Sequence, residues 1–228
     1  MAYRRKAHLL LAHKPDILVI SECESPDNLL FGDDVEKPTS VIWWGDNQHK
    51  GLAVLSFNNY KLQLLNIHKP RFKTILPVAV TGGAVDFTLF AVWANNPQDK
   101  PNQYVGQVWK AIRHYKDLLS GTPAIIAGDF NSNTIWDKPR RKGNHTDVVA
   151  WLEKKEIYST YHHHFKQVQG KEEHATFYLY RHEDKPYHLD YCFASKHFMD
   201  KLQSVEVGPY NDWKHHSDHK PVIVTFGE

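Results

Sequence analysis

The chain has 228 residues, 41% hydrophobic and 24% charged, a balance of ordinary globular proteins that suggests neither disorder nor a membrane class. Its 28 Lys and Arg against 26 Asp and Glu give a formal net charge of +2, too small to bind nucleic acid by bulk electrostatics, so any polyanion site must be local. No apolar run approaches the ~18 residues that span a bilayer, no signal-like start is present, and Cys23 and Cys192 lie in or beside apolar runs as reduced thiols do; these features predict a cytoplasmic monomer without membrane contact, one domain over residues 1–228.

Ala7, Leu10 and Leu11 fall at helical spacing within Arg4 to His13, and Lys14-Pro15 ends the helix because the residue before proline avoids the α region. Ile17 to Ile20 is a short β-branched run predicted to be a strand buried on both faces, delivering Ser21-Glu22-Cys23-Glu24 at its end. From Val41 to Val92 the chain predicts an antiparallel meander: Val41–Trp44, Gly51–Ser56, Leu62–Ile67, Ile75–Thr81 and Ala84–Val92, the last two joined by a tight turn at Gly82-Gly83. Val105, Val108, Trp109, Ile112, Tyr115 and Leu119 mark an amphipathic helix over Gln103–Leu119, and the strand Ala124–Ala127 follows. A second helix is predicted from Thr146, as N-cap, to Lys155, with Val149 and Leu152 inward; strands resume at Ala175–Tyr180, Leu189–Ala194 and Val222–Phe226. Strands broken by a few helices, without βαβ alternation, predict an α+β layered sandwich.

Four segments set acidic, amide or imidazole groups at the edge of apolar runs: Pro15 to Glu22, Gly128-Asp129-Phe130-Asn131, His188-Leu189-Asp190-Tyr191, and Ser217-Asp218-His219-Lys220-Pro221. Carboxylates at strand ends suit a hard cation, which takes oxygen ligands, keeps several waters and shares its shell with substrate phosphate. A rigid sheet can hold such groups to the tolerance that catalysis requires.

In this order the four segments resemble the signature of the endonuclease/exonuclease/phosphatase superfamily, which includes apurinic-site endonucleases, DNase I-like nucleases, inositol-phosphate phosphatases and sphingomyelinases. The likeness spans nearly the whole chain, and the Asp129 and His219 segments are its most diagnostic parts. It implies a DNase I-like, four-layer α/β/β/α sandwich of two mainly antiparallel sheets, and a phosphoric ester hydrolase dependent on Mg²⁺ or Mn²⁺. Glu22 and Asp218 would hold the metal or its waters, Asp129 would orient or deprotonate the attacking water, and Asn131 would fix that water and the phosphate. His219 would contact the scissile phosphate and be oriented by Asp190. The expected activity is hydrolysis of a phosphodiester by a nuclease acting on DNA or RNA; a phosphatase for a small or lipid-linked phosphate and a catalytically weak binding protein are the alternatives.

Two departures from the pattern carry expectations. Relatives begin with a strand ending in Asn; Met1 to Lys6 has neither, so the chain is expected to start downstream of that strand, leaving an exposed or irregularly covered edge on Ile17–Ile20. Trp93 stands where many relatives carry a phosphate-contacting His or Tyr; an indole donates one hydrogen bond and is no acid, so Asn96 or Tyr104 is expected to contact phosphate instead. Lys138, Arg140, Arg141 and Lys142 are either a grip on a phosphate backbone or a solvated loop, with Arg140 and Arg141 the candidate substrate contacts. Glu24 reads as a solvated neighbour, most of His162-His163-His164 and His215-His216 as solvent-facing residues on extended chain, and Trp43 and Trp44 as packing residues rather than base-stacking platforms.

Overall fold

The computed structural model describes residues 3–29, 36–95 and 103–227. A 3-10 turn at Tyr3–Arg5 and the short helix α1 (Ala7–Leu11) lead into strand β1 (Ile17–Cys23). Strands β2 (Ser40–Asn47) and β3 (Lys50–Ser56) complete a three-stranded antiparallel sheet in the order β1-β3-β2. The chain then leaves this sheet for another, so the predicted meander is two sheets rather than one.

The second sheet contains β4 (Lys61–Leu64), β5 (Ile75–Thr81), β6 (Phe87–Trp93), β7 (Ala124–Asp129), β8 (Ile157–Ser159) and β11 (Asp190–Ser195), in the order β4-β5-β6-β7-β11-β8. Between its last two sequence members lie two-residue strands β9 (Phe177–Tyr178) and β10 (Pro186–Tyr187), which pair with each other. The sheet is antiparallel except for β6 and β7, which run parallel because helix α2 (Val105–His114) carries the chain back between them. Helices α3 (His145–Glu153), α4 (Thr160–Phe165), α5 (Lys196–Met199) and α6 (Tyr210–Trp213), with the antiparallel pair β12 (Leu202–Val207) and β13 (Val222–Phe226), complete the fold.

Period-two alternation sorts the strand side chains into separate layers. Leu52, Val54, Leu76, Val78, Val80, Leu89 and Ala91 are buried between the two sheets, with Ile17 and Val19 packed on them. On the outer face of the smaller sheet, Ile20, Ala53 and Leu55 pack under Tyr3 and Ala7, with Leu10 and Leu11 alongside. On the outer face of the larger sheet, Phe90, Val92, Ile126 and Phe193 pack under Val105, Val108 and Ile112 of α2 and Val148 and Leu152 of α3. The result is the expected α/β/β/α sandwich, and β1 is packed on both faces. Among the described residues β1 pairs with no strand but β3; the Tyr3–Arg5 turn and α1 pack beside it. No helix among the described residues is long and apolar enough to cross a membrane.

Several boundaries differ from the sequence reading. Strand β6 begins at Phe87, and only Gly82 of the Gly82-Gly83 pair has positive φ (95°), so the hairpin connection is longer than a two-residue turn. Helix α3 starts earlier than predicted because Asn144, not Thr146, caps it: the Asn144 side chain takes the N3 amide while Asp147 accepts from the Asn144 amide, a reciprocal capping box. The segment Ala175–Tyr180 forms only the two-residue strand β9, since Thr176 and Tyr178 bond to loop segments instead of a long ladder. His162, His163 and His164 sit on helix α4, not on extended chain; His163 and His164 are exposed, whereas His162 is turned inward. Both cysteines are buried free thiols, pushed up to about 12 mainly by burial. Trp43 packs on the smaller sheet and donates Nε1–H to the Cys23 carbonyl at 3.0 Å, and Trp44 packs between the sheets, as expected of core residues.

Candidate active site

Strand register brings the site together. Asp129, the last residue of β7, is the cross-strand partner of Asp190 on β11 and of Trp93 on β6, so three segments distant in sequence end in one row. The turn out of β7 depends on Gly128: its φ is 134°, and a Cβ there would lie 2.0 Å from the Val92 carbonyl oxygen, so only glycine lets β7 approach β6 this closely. Asn131 has φ 45°, which folds its side chain back onto Asp129. Its backbone N–H donates to Asp129 Oδ1 at 2.8 Å, and its Nδ2 donates to Asp129 Oδ2 at 2.7 Å and to the Ala94 carbonyl at 2.9 Å.

The segment around Thr176 draws the remaining motifs inward. Thr176 Oγ1 accepts from the amides of Leu189 and Asp190, while its carbonyl accepts from Lys220 N. Phe177 bridges to His219, and Tyr178 N donates to the Asp218 carbonyl. His219 Nδ1 consequently lies 2.9 Å from Asp190 Oδ2, a carboxylate acceptor that makes Nδ1 a protonated nitrogen. One ligand atom from each of Asp129, Asp190 and His219 lies within 4.8 Å of the others.

The charges in this cluster act on one another. Burial and the neighbouring Asp190 push the Asp129 carboxyl upward, against the pull of His219 and the Asn131 amide. Burial alone would lower His219, yet Asp190, Asp129 and Asp218 together raise it to about 9. Glu22 and Asp218 are outside the 4.8 Å group but belong to the same field: Glu22 acts on Asp129, and Asp218 on His219. Glu22 stands at a register shift of β1 between Ile20 and Cys23, with φ 57°, a bulge that turns its carboxylate out of the strand alternation. Burial pushes Glu22 up, but its ion pair with Lys50 at 2.7 Å helps to bring it below the ordinary carboxylate range.

The carboxylates of Glu22, Asp129, Asp190 and Asp218 fit a hard divalent cation in both donor type and charge. Two ammonium groups already answer that charge. Lys50 sits on Glu22 and 5.5 Å from the centre of the Trp93 ring, and the Lys6 ammonium, lowered by burial, feels Cys23, Asp190, Asp218 and Glu22. Neither lysine stands out in the sequence, because Lys6 lies just before α1 and Lys50 opens β3, and neither position carries a motif.

The remaining candidates are less directly placed. Trp93 is 91% buried and packs between the sheets, so its indole is a wall of the site. Tyr104 is exposed at the start of α2, its backbone strained at φ 48° and bonded to the Asn95 carbonyl. Asn96 lies outside the described residues. Arg140 and Arg141 are exposed on the loop after Asn131, and no bond joins them to the Asp129, Asp190 and His219 cluster among the described residues. Glu24 is not solvated: it is 98% buried and accepts from the amides of Tyr3 and Arg4 and from Arg4 Nη1, which anchors the N-terminal turn beside β1.

No family model and no curated protein matches this chain. Solved structures do. An AP endonuclease from Archaeoglobus fulgidus is similar with TM-score 0.69 and 17% identity over 99% of this chain and 95% of its own. An AP endonuclease from Leishmania major gives 0.68 and 13% over 96% and 80%, and a 3' phosphatase, NExo, from Neisseria bound to product DNA hairpin gives 0.67 and 17% over 99% and 95%. The chain therefore has the DNase I-like fold that its motifs imply.

Proposed function

We propose that the whole chain works as one domain, a metal-dependent phosphodiesterase, and that its substrate is DNA or RNA. One observation carries this reading: a buried carboxylate held by Asn131 and an imidazole held by a second carboxylate meet in one cluster, Asp129 with Asp190 and His219. In the proposed reaction Asp129 accepts a hydrogen bond from the attacking water and takes its proton, while Asn131 keeps the Asp129 carboxylate aimed. His219, protonated through its bond to Asp190, turns its Nε2–H toward a non-bridging phosphate oxygen and meets the charge that grows there during in-line attack. Glu22 and Asp218, with Asp129 or Asp190 completing the oxygen set, would hold a divalent cation, which supplies positive charge to the phosphate when bound. Lys50 and Lys6 balance the same carboxylates in the free protein. Trp93 cannot protonate the leaving oxygen, which departs as an alkoxide and takes its proton from solvent water.

The substrate class rests on two supports. Exposed Lys138, Arg140, Arg141 and Lys142 follow the Asp129–Asn131 turn, and one structural neighbour is described as bound to product DNA. A panel of DNA, RNA, abasic DNA, inositol phosphates and sphingomyelin, each with Mg²⁺ or Mn²⁺, tests the reading. Cleavage of a polynucleotide is expected. Turnover confined to inositol phosphates or sphingomyelin would transfer the site to a small or lipid-linked phosphate, and no turnover of any ester would leave a binding protein.

A further inference from the structure

A cleft of about 710 Å³ opens on the outer helical layer, away from the carboxylate cluster, and falls within the ~300–1,000 Å³ range of ligand-sized pockets. It is walled by the half-buried indoles of Trp109 and Trp151 and by Arg71, Lys110, Arg113 and Lys116; no acidic side chain lines it among the described residues. Arg113 stacks over Trp109 at 5.1 Å, and Lys155 lies 5.7 Å from the centre of Trp151. His114, on the rim, is pushed below its ordinary value by desolvation and by the charges of Arg71 and Lys69.

Gly143, with φ 80°, closes the basic loop directly onto Trp109: a Cβ there would lie 2.5 Å from the indole. Lys138, Arg140, Arg141 and Lys142 are exposed on the loop that Gly143 closes, between the Asp129–Asn131 turn and Trp109. Cations alternating with aromatic faces are the chemistry that holds a flexible polyanion with exposed flat bases.

We infer that this cleft binds single-stranded polynucleotide, its phosphates on Lys110, Arg113 and Lys116 and its bases against Trp109 and Trp151. This deepens the nuclease reading and rests on it for the identity of the polymer. A duplex hides its bases from the indoles, so unpaired strand is the form the cleft selects.

The test uses the full chain without added metal, binding labelled dT12 across a salt series, with the triple variant Lys110→Gln, Arg113→Gln, Lys116→Gln beside it. Each single-strand phosphate contact contributes about 0.7 to the slope of log K against log salt, so losing three should reduce the slope by about 2 and weaken binding at least ~10-fold at low salt. Quenching of tryptophan fluorescence by dT12 should fall in the same variant. Hydrolysis of bis-p-nitrophenyl phosphate with Mn²⁺, which needs no cleft, is measured in parallel. If the wild type hydrolyses this small ester but the variant keeps the wild-type affinity and slope, the cleft proposal is overturned and the catalytic reading stands. If dT12 binding is lost in the variant while no ester is hydrolysed by either protein, the cleft proposal stands and the catalytic reading fails. Equal binding of polyglutamate and dT12, without quenching, would overturn the assignment in favour of an acidic protein.

Discussion

Replacing Asp190 with Asn separates the role of its charge from that of its shape. The amide oxygen can still accept from His219 Nδ1, and the Asp190 amide keeps its bond to Thr176, so the imidazole should stay in place. What is removed is the main charge that lifts His219 to about 9, and its titration should fall back toward the ordinary 6.5. At pH 8 the protonated fraction of His219 would then drop from about 90% to about 3%, roughly 30-fold, whereas at pH 6 the two proteins would differ by less than about 1.5-fold. If imidazolium is the form that meets the phosphate, kcat of Asp190→Asn should be ~30-fold below wild type at pH 8 and recover most of that loss at pH 6. The sign for stability agrees: a raised histidine stabilises the fold fully below 6.5 and loses that contribution as pH rises through about 9. The assay is a pH–rate profile from 5.5 to 9 with an NMR titration of the His219 ring. A deficit that is the same at every pH, or an unmoved ring titration, would refute the reasoning.

Two structural predictions test how the site is held. Gly128→Ala would force a Cβ to within 2.0 Å of the Val92 carbonyl at a φ of 134°, and should destabilise the protein by about 3 kcal/mol in denaturant titration; a loss under about 1 kcal/mol would mean that β6 and β7 are less tightly apposed. Asn133 is buried, accepts from Ile135 N, and donates to the Glu172 carboxylate, the His188 carbonyl and the Tyr191 hydroxyl, so it ties the turn after Asp129 to the segment before Asp190. Asn133→Ala should cost about 2–3 kcal/mol and lower kcat more than it raises KM; an unchanged kcat would remove it from positioning the site.

Much of the fold was legible because the strands carry their own signal. Ile75–Thr81 and Val222–Phe226 appear with the expected bounds, and Asp129 and Asp190, each placed beside an apolar run, prove to be cross-strand partners. The misreadings have local causes. Asn144 outcompetes Thr146 as a cap because Asp147 returns the bond, and Ala175–Tyr180 forms little strand because its polar groups bind the Asp190 and His219 segments instead. Pairings across the fold leave no periodic trace: Glu24 looks solvated until Tyr3 and Arg4 close over it, Lys50 becomes visible as a neighbour of Glu22 only once β1 and β3 are paired, and Lys6 only once the N-terminal turn is packed. The tryptophans that line the outer cleft also satisfy a helical period, so packing alone would account for them in the sequence.

The central claim is that Asp129 serves a metal-dependent phosphodiester hydrolysis. It is tested most directly by comparing wild type with Asp129→Asn on a labelled oligonucleotide, with Mn²⁺ and with EDTA. Asn in place of Asp129 keeps the acceptor for Asn131 N, but its own Nδ2 would confront Asn131 Nδ2, and it cannot take a proton from water. The account predicts cleavage with Mn²⁺, none above background with EDTA, and a kcat on the order of a thousandfold lower in the variant. Cleavage that persists in EDTA, or a variant within tenfold of wild type, would contradict it.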